Sequence, residues 1–289
     1  MGMAKKAAKT GIGPTALVAI EQYFPKKKRI INDDFAFYML PQIAKNLMWL
    51  MNFSWIRNLM ISTTEKNTPG LWSDMMCRKR YIDEKIINSV NIKEFVNIGG
   101  GFDTRAYRLK VLSKIPVYEI DQSENIEVKR TRIRNLFKSI PTNVNYVSTD
   151  FDKESLKDLL KIKGCNLEKK AFFILEAVTQ YLTKKGIEST FDFLSQTASG
   201  SKLAFTYVQK DFIQGKNKYG WDKFYKNFVE KKVWIFGMKK DELPSFLKKY
   251  GWQLIEDVGV DELAKKYVVP TGRKLASTQI ERIIYAKKL

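Results

Sequence analysis

The run Phe95-Val-Asn-Ile-Gly-Gly-Gly-Phe-Asp-Thr-Arg-Ala-Tyr-Arg-Leu109 joins a short apolar segment, three glycines and a segment suited to a helix. Asp103 or Thr104 can cap that helix, because a side-chain oxygen there accepts a bond from an unpaired backbone N–H. Glycines let the backbone turn tightly and let a ligand approach it. The run therefore predicts a strand, a ligand-binding turn and a helix. Thr104 stands where a dinucleotide fingerprint has its third glycine, which disfavours pyrophosphate binding.

Short apolar runs alternate with helical patterns on both sides of this turn. The alternation is typical of βαβ units and predicts an α/β fold with a doubly wound, parallel sheet. A further helix and two strands are predicted after an interruption at 210–240. The predicted strands are Glu94–Ile98, Val117–Ile120, Asn145–Thr149, Ala171–Glu176, Lys202–Val208, Trp252–Val258 and Thr278–Lys287, and the helices between them span 104–114, 122–138, 154–161, 184–199 and 241–250.

The composition excludes several kinds of chemistry. The chain has no histidine, which removes Ser-His-Asp and Cys-His nucleophile systems and histidine-ligated metals. Cys77 and Cys165 are its two cysteines, too few for a zinc site or a disulfide framework. We therefore expect no metal, and buried, reduced thiols in a reducing compartment.

The net charge of +20 is spread along the chain and comes mainly from lysine. Such a charge attracts polyanions weakly, but the scarcity of arginine argues against a dedicated nucleic-acid module. No run approaches the ~18 apolar residues of a membrane span, and no signal peptide follows the basic N-terminus. We expect a soluble cytoplasmic protein without a membrane span, and the oligomeric state stays open.

Two segments are candidates for a cap. The region 39–76 holds six of the nine methionines and three of the six tryptophans. It is interpreted as a helical cap packed on the main domain or as a flexible lid over an apolar substrate; a membrane-surface helix is disfavoured because its polar face is not strongly basic.

The region 210–240 is rich in lysine and aromatic residues. Four of its aromatic residues are spaced to lie on one face of a helix: Trp221, Phe224, Tyr225 and Phe228. This spacing favours a core-facing helix or lid over a platform for nucleic acid.

Acidic residues follow three predicted strands at the edge where ligands of open α/β sheets bind. Asp121 lies 20 residues beyond Gly101 and can accept bonds from both ribose hydroxyls of a nucleoside. Asp150 with Phe151 can bond an adenine amino group and pack on its ring, and Glu176 ends the next strand. Together they indicate a nucleoside without phosphates that carries a cationic tail, which describes S-adenosylmethionine.

These motifs resemble the leucine carboxyl methyltransferase family. The resemblance rests on Gly-Gly-Gly-Phe-Asp-Thr-Arg-Ala-Tyr-Arg-Leu109, Glu-Ile-Asp121, Asp150-Phe and Glu176-Ala-Val-Thr-Gln-Tyr-Leu, and it is clear up to Tyr181. It implies a seven-stranded, Rossmann-like methyltransferase domain with an N-terminal helical cap and an insertion before the last strands. The single domain then consists of a helical extension (1–90), a cofactor-binding core (91–209), a cap insertion (210–240) and the C-terminal end of the sheet (241–289).

The resemblance also implies the roles of individual residues toward S-adenosylmethionine. Arg78 would pair with its carboxylate, and Glu176 would face its amino group. Gly99 and Gly101 would let the methionine part approach the backbone. Asp121 would bind the ribose, and Asp150 with Phe151 the adenine.

Catalysis on a sulfonium methyl needs positioning more than proton transfer, which suits a chain without histidine. Tyr181 and Tyr207 are the candidate catalytic residues, whereas Arg105 and Arg108 are expected to tie the first helix to neighbouring acids. The predicted function is an O-methyltransferase acting on a hydroxyl or carboxyl oxygen of a small, largely apolar molecule. The alternatives are a carboxyl methyltransferase of a protein C-terminal leucine and a non-catalytic binding protein on the same fold.

Overall fold

Seven strands form the central sheet of the computed structural model, which describes residues 11–151, 154 and 156–289. They are β1 (Glu94–Ile98), β2 (Val117–Asp121), β3 (Val144–Ser148), β4 (Ala171–Leu175), β5 (Lys202–Val208), β6 (Trp252–Gly259) and β7 (Glu281–Lys288). Their spatial order is β3-β2-β1-β4-β5-β7-β6, with β1 to β5 parallel and β7 antiparallel to both of its neighbours. The predicted seven-stranded, doubly wound α/β fold is confirmed, and the strand ends differ from prediction by at most three residues.

Helices cover both faces of the sheet. They are α1 (Ile12–Glu21), α2 (Gln42–Leu47), α3 (Ser54–Asn67), α4 (Leu71–Ile87), α5 (Arg105–Arg108), α6 (Ser123–Phe137), α7 (Leu156–Ile162), α8 (Lys184–Ser195), α9 (Lys210–Ile213), α10 (Asp222–Phe228), α11 (Leu243–Lys249) and α12 (Val260–Tyr267), with single 3₁₀ turns at 26–28, 36–39, 48–52, 110–112, 179–181 and 269–271. None of the described helices is long and apolar enough to cross a membrane.

Two apolar cores form because successive side chains of a strand point to opposite faces. Phe95 and Phe172 pack on one face with the N-terminal helices and α12. Val96 and Phe173 pack on the other face with α7, α8 and α11. Both faces of the parallel strands are therefore covered, which explains why β1, β2 and β4 are buried along their whole length.

A buried carboxylate holds the N-terminal extension to the rest of the chain. Glu21, at the end of α1, is fully buried and accepts a 2.8 Å bond from the indole N–H of Trp72 in α4. It also accepts a 2.7 Å bond from Arg273, in the loop before β7. The charged pair and the indole bond compensate the burial of Glu21, so the extension packs as a layer of the fold. Residues 1–10 of the predicted extension lie outside the described residues.

Two of the predicted helices end at least four residues early. The helix predicted over 184–199 ends at Ser195. The helix predicted over 104–114 stops after Arg108, because the backbone of Leu109 is extended at φ −88° and ψ 106°. The predicted helical face of the insertion is present in α10, where Phe224 and Phe228 join an apolar cluster.

Candidate functional site

A cavity of about 660 Å³ lies at the carboxyl edge of the parallel strands. Its volume falls within the range typical of cofactor and small-molecule sites. Strand ends, the glycine turn and α4 line one part of it, and α3 and the insertion line the other. We call these parts the strand-end lobe and the aromatic lobe.

The structure brings eight of the nine predicted site residues to this cavity. Tyr207 is the exception, since it does not line the cavity and its side chain is fully buried. On β5 it shares a face with Leu203 and Phe205, which point into the core beneath α8 and α11. Its prediction as a catalytic residue is therefore corrected. The eight residues at the cavity are Arg78, Gly99, Gly101, Asp121, Asp150, Phe151, Glu176 and Tyr181.

The glycine turn has the backbone conformation that the sequence predicts. Gly99 has φ +73°, and a Cβ atom there would lie 2.3 Å from Cγ2 of Val178. Gly101 has φ +45°, but a Cβ atom there would meet only Asp121 Oδ2, at 4.0 Å. Gly99 thus permits close packing of the turn, and Gly101 leaves its cavity side open to a ligand.

Asp121 joins the end of β2 to the glycine turn. Its Oδ2 accepts a 2.6 Å bond from the Gly101 N–H. Its Oδ1 accepts bonds from the N–H of Gln122 at 2.7 Å and from the Asn125 side chain at 2.9 Å. Burial raises the pKa of Asp121 despite these bonds. The carboxylate is therefore held in place at the cavity wall by its own backbone surroundings.

A buried arginine connects three of the elements around the cavity. Arg105 is fully buried and donates 2.6 Å bonds to Asp83 in α4 and to Asp103 after the glycine turn. It also donates to Glu176, directly after β4. Arg108 donates to the same Asp83 at 2.6 and 2.9 Å. Both arginines therefore connect α5, the helix after the glycine turn, to neighbouring acids, as predicted from the sequence.

Glu176 and Arg78 face the cavity but are paired with each other, at 2.9 Å. Although burial raises the pKa of Glu176, Arg105, Lys79 and Arg78 lower it to about 2. Arg78 also contacts two further carboxylates, Asp74 and Glu281. Its guanidinium is thus surrounded by protein acids before any ligand binds.

Lys79 is a cavity residue that sequence reasoning missed. Its Nζ lies 3.6 Å from Glu176 Oε1, and its side chain is more exposed than that of Arg78. It offers a cation to an anionic ligand group in the strand-end lobe. Its position directly after Arg78, to which the resemblance assigns the cofactor carboxylate, is the signal that could have found it.

Asp74 and Glu281 form a second missed feature. Both line the cavity, both are more than nine-tenths buried, and each has one oxygen without a hydrogen-bond partner among the described residues. Burial raises the pKa of Asp74 well above its usual range, and a hydrogen bond to Glu281 adds to the rise. Asp74 therefore keeps its proton at a higher pH than an exposed aspartate does, beside Arg78 and Glu281. Asp74 precedes Arg78 by one helical turn, but nothing local to Glu281 signals this role.

The aromatic lobe is lined by rings from the insertion. The ring centroids of Phe224 and Trp234 lie 4.8 Å apart, and Tyr181 meets Trp234 edge-on at 6.2 Å. Gln180 and Trp234 line the cavity, and the buried Trp234 N–H and Gln180 side-chain oxygen have no hydrogen-bond partner among the described residues. The walls of the lobe are thus mainly apolar.

Solved structures define the class of fold to which this chain belongs. A DUF574 family protein of Streptomyces avermitilis superposes with a TM-score of 0.61 at 15% identity, over 96% of this chain and 97% of that one. A structure described as a candidate methyltransferase of Thermobifida fusca also gives 0.61 at 15% identity, over 93% and 97%. The fold is the methyltransferase-like α/β fold.

Sequence comparison identifies the family. The model of the leucine carboxyl methyltransferase family matches residues 11–195, which is more than half of the chain. This chain belongs to that family. A Mycobacterium bovis protein named as a candidate S-adenosyl-L-methionine-dependent methyltransferase is 26% identical over 188 residues, which are 62% of each chain. A Bacillus subtilis protein with the same description is 27% identical, over 56% of this chain and 51% of its own length.

Removing the central cation of the network tests its importance for folding. Arg105→Met leaves buried carboxylates without their partner, so we expect the free energy of unfolding to fall by about 3–5 kcal/mol. Urea unfolding measures this loss. The control is Arg130→Met, whose exposed partner lies 4.0 Å away and which should change stability by less than about 1 kcal/mol. Equal losses in both variants would show that the buried network is unimportant.

The protonation of Asp74 predicts a pH dependence. Because its pKa is raised in the folded protein, the folded state keeps a proton that the unfolded chain loses above about pH 4. The wild type should therefore lose stability relative to Asp74→Asn as the pH rises from about 4. Urea unfolding of both proteins across this range measures the difference, with the exposed Asp222→Asn as control. A difference independent of pH would contradict the raised pKa of Asp74.

Proposed function

We propose that this chain is an S-adenosylmethionine-dependent methyltransferase that transfers a methyl group to an oxygen of a small, largely apolar molecule. The observation that carries the proposal is one cavity in which the strand-end lobe adjoins the aromatic lobe. The first suits a nucleoside with a charged tail, and the second suits an apolar acceptor. The aligned region spans 62% of the length of the mycobacterial relative, so the activity and substrates of the whole protein are part of this proposal.

The residues of the strand-end lobe fit the cofactor. Gly101 leaves space beside Asp121, whose carboxylate can accept bonds from two ribose hydroxyls. Asp150 and the half-buried Phe151 lie at the end of β3, where they can bond the adenine amino group and pack on its ring. The cofactor supplies an activated methyl group on its sulfonium.

The charged residues around Arg78 would hold the amino-acid end. Glu176 is ionised and suits an ammonium group. Arg78 is already paired with Glu176, Asp74 and Glu281, so Lys79 shares the task of binding a carboxylate. The low dielectric of the buried network strengthens each of these interactions.

The aromatic lobe would place the acceptor. Tyr181, Phe224 and Trp234 offer apolar walls to the acceptor. Positioning of the acceptor oxygen in line with the methyl group can supply most of the rate. A carboxylate acceptor needs no base, whereas the proton of a hydroxyl acceptor would pass to a base of the cavity or to water.

A carboxyl methyltransferase of a protein C-terminus is the second candidate. The description of the matching family favours it. Lys79 is the cavity cation available to a terminal carboxylate, although it lies 3.6 Å from Glu176. The rings that line the aromatic lobe favour a small, apolar molecule over a peptide.

Cofactor binding is tested by thermal unfolding of wild type and Asp121→Ala. S-adenosylmethionine at about 100 times its Kd should stabilise the wild type by roughly 2.7 kcal/mol. The variant loses the ribose acceptor, so its ligand-induced shift should be largely lost. Glu127→Ala, on an exposed part of α6, serves as the matched control and should keep the full shift. A full shift in Asp121→Ala would show that the cofactor binds elsewhere, and no shift in the wild type would favour a non-catalytic protein.

The acceptor class is tested with cofactor carrying a labelled methyl group. Purified wild type is offered aromatic phenols, apolar carboxylic acids and peptides ending in leucine. We expect label on the small molecules, and a loss of about tenfold in kcat/KM for Trp234→Ala because an apolar wall is removed. Lys231→Ala, a lysine at the exposed surface of the same insertion, should match the wild type. Label on the peptides alone would replace this proposal with the protein carboxyl methyltransferase.

A further inference from the structure

The segment 38–60 of the N-terminal extension exposes apolar side chains that the described residues leave uncovered. Eight of the eighteen large apolar side chains that are exposed in the described chain fall between residues 38 and 60. Ile43 is 79% exposed and Trp55 66% exposed. We call this surface the docking face, and it consists of Tyr38, Ile43, Leu47, Trp49, Phe53, Trp55, Leu59 and Met60.

The tryptophans distinguish the docking face from the rest of the molecule. Trp49 and Trp55 are exposed, whereas the other four tryptophans of the chain are buried. Trp49 contacts Phe53 edge-on, with ring centroids 6.0 Å apart. Indole rings with an exposed edge are typical of the interface between water and lipid, where an apolar body and a polar N–H are both accommodated.

The spacing of the face follows its helices. Ile43 and Leu47 are four residues apart on α2, so they lie on one side of it. Trp55 and Leu59 are also four residues apart and lie on one side of α3. Arg57 is the only buried residue of that helix. Both helices thus present apolar side chains to the solvent, where a core-facing helix would hide them.

Charge selects the partner of this face. Residues 35–64 contain no acidic residue. A 3₁₀ turn of exposed lysines, Lys26–Lys28, lies close by, because Arg57 of α3 stacks on the neighbouring Phe24 at 5.0 Å. On the other side, Lys45 lies beside the rings of Phe37 and Tyr38, at 5.8 and 6.0 Å. The sequence of 39–76 disfavours a membrane-surface helix because it is not strongly basic, but the fold brings Lys26–Lys28 to it from outside that segment. Apolar side chains with basic neighbours match a bilayer whose surface is anionic.

A second copy of the chain fits the face less well. Two copies joined here would bring two molecules of net charge +20 together, with lysines at the edge of the contact. Repulsion between like charges opposes that contact. We propose that the docking face binds the surface of an anionic lipid bilayer, with Trp49 and Trp55 in its headgroup region and the lysines at its phosphates.

This placement brings the bilayer to the cap of the cavity. The first half of α3 carries Trp55 and Leu59, and its second half lines the cavity through Thr63, Thr64 and Asn67. An apolar acceptor dissolved in the bilayer would then be close to the aromatic lobe. That consequence rests on the proposed function, whereas binding to the bilayer does not.

Flotation with lipid vesicles tests the proposal on the full chain. In a density gradient, the wild type should float with vesicles of equal parts phosphatidylcholine and phosphatidylglycerol. Little of it should float with vesicles of phosphatidylcholine alone. Tryptophan emission should shift to shorter wavelength on binding, since Trp49 and Trp55 leave water. The double variant Trp49→Ser with Trp55→Ser should lower the affinity by about tenfold or more and abolish the emission shift.

The matched control is Ile162→Ser with Val269→Ser, because these side chains are 79% and 67% exposed but lie outside the docking face. This control should bind like the wild type. Both double variants should keep the thermal shift with S-adenosylmethionine, which separates this test from that of the cofactor site. Wild type that does not float with anionic vesicles overturns the proposal, as does floating that the tryptophan variant leaves unchanged. A wild-type dimer that the tryptophan variant converts to monomers in light scattering would instead assign the face to a second copy.

Discussion

The guanidinium of Arg105 lies without solvent contact among the carboxylates of Asp83, Asp103 and Glu176. A buried charge is tolerated only when its partners stay in place, so each of these bonds constrains the element that carries the partner. The elements are α4, the glycine turn and the end of β4, and together they form much of the cavity wall. The cavity is therefore shaped before a ligand arrives, which lowers the entropy that binding must overcome.

The two lobes of the cavity differ in how they are built. Parallel strands and a short turn hold the strand-end lobe, so Asp121 and Glu176 are positioned by the sheet itself. The aromatic lobe depends on the insertion after β5 and on α3, which carries few buried residues. Segments outside a sheet accept changes of sequence more easily than strands do. The sheet-built lobe would therefore suit a cofactor that related enzymes share, and the aromatic lobe an acceptor that differs among them.

Some of the site could be predicted because it depends on local pattern. The glycine turn, Asp121 and Glu176 follow apolar strands directly, and the carboxyl ends of parallel strands meet at one edge. The prediction that Tyr207 reaches the site was wrong because side chains alternate along β5 and that of Tyr207 points into the core. The sequence does not show which face of a strand lies next to the cavity. Glu281 escaped prediction because its partner, Arg78, is 203 residues away in the chain.

By itself, the sequence determined the order of strands and helices, the cofactor edge of the sheet and the absence of histidine chemistry, because these depend on residue type and short spacing. Only the tertiary structure decided that Arg78 is paired with three carboxylates, that burial raises the pKa of Asp74 and that Trp49 and Trp55 remain exposed. An apolar segment has the same sequence whether folding buries it or leaves it exposed. The ion-pair partner of a charged side chain is defined only in the folded chain. Burial and long-range pairing are properties of the packed molecule, so the local pattern cannot contain them.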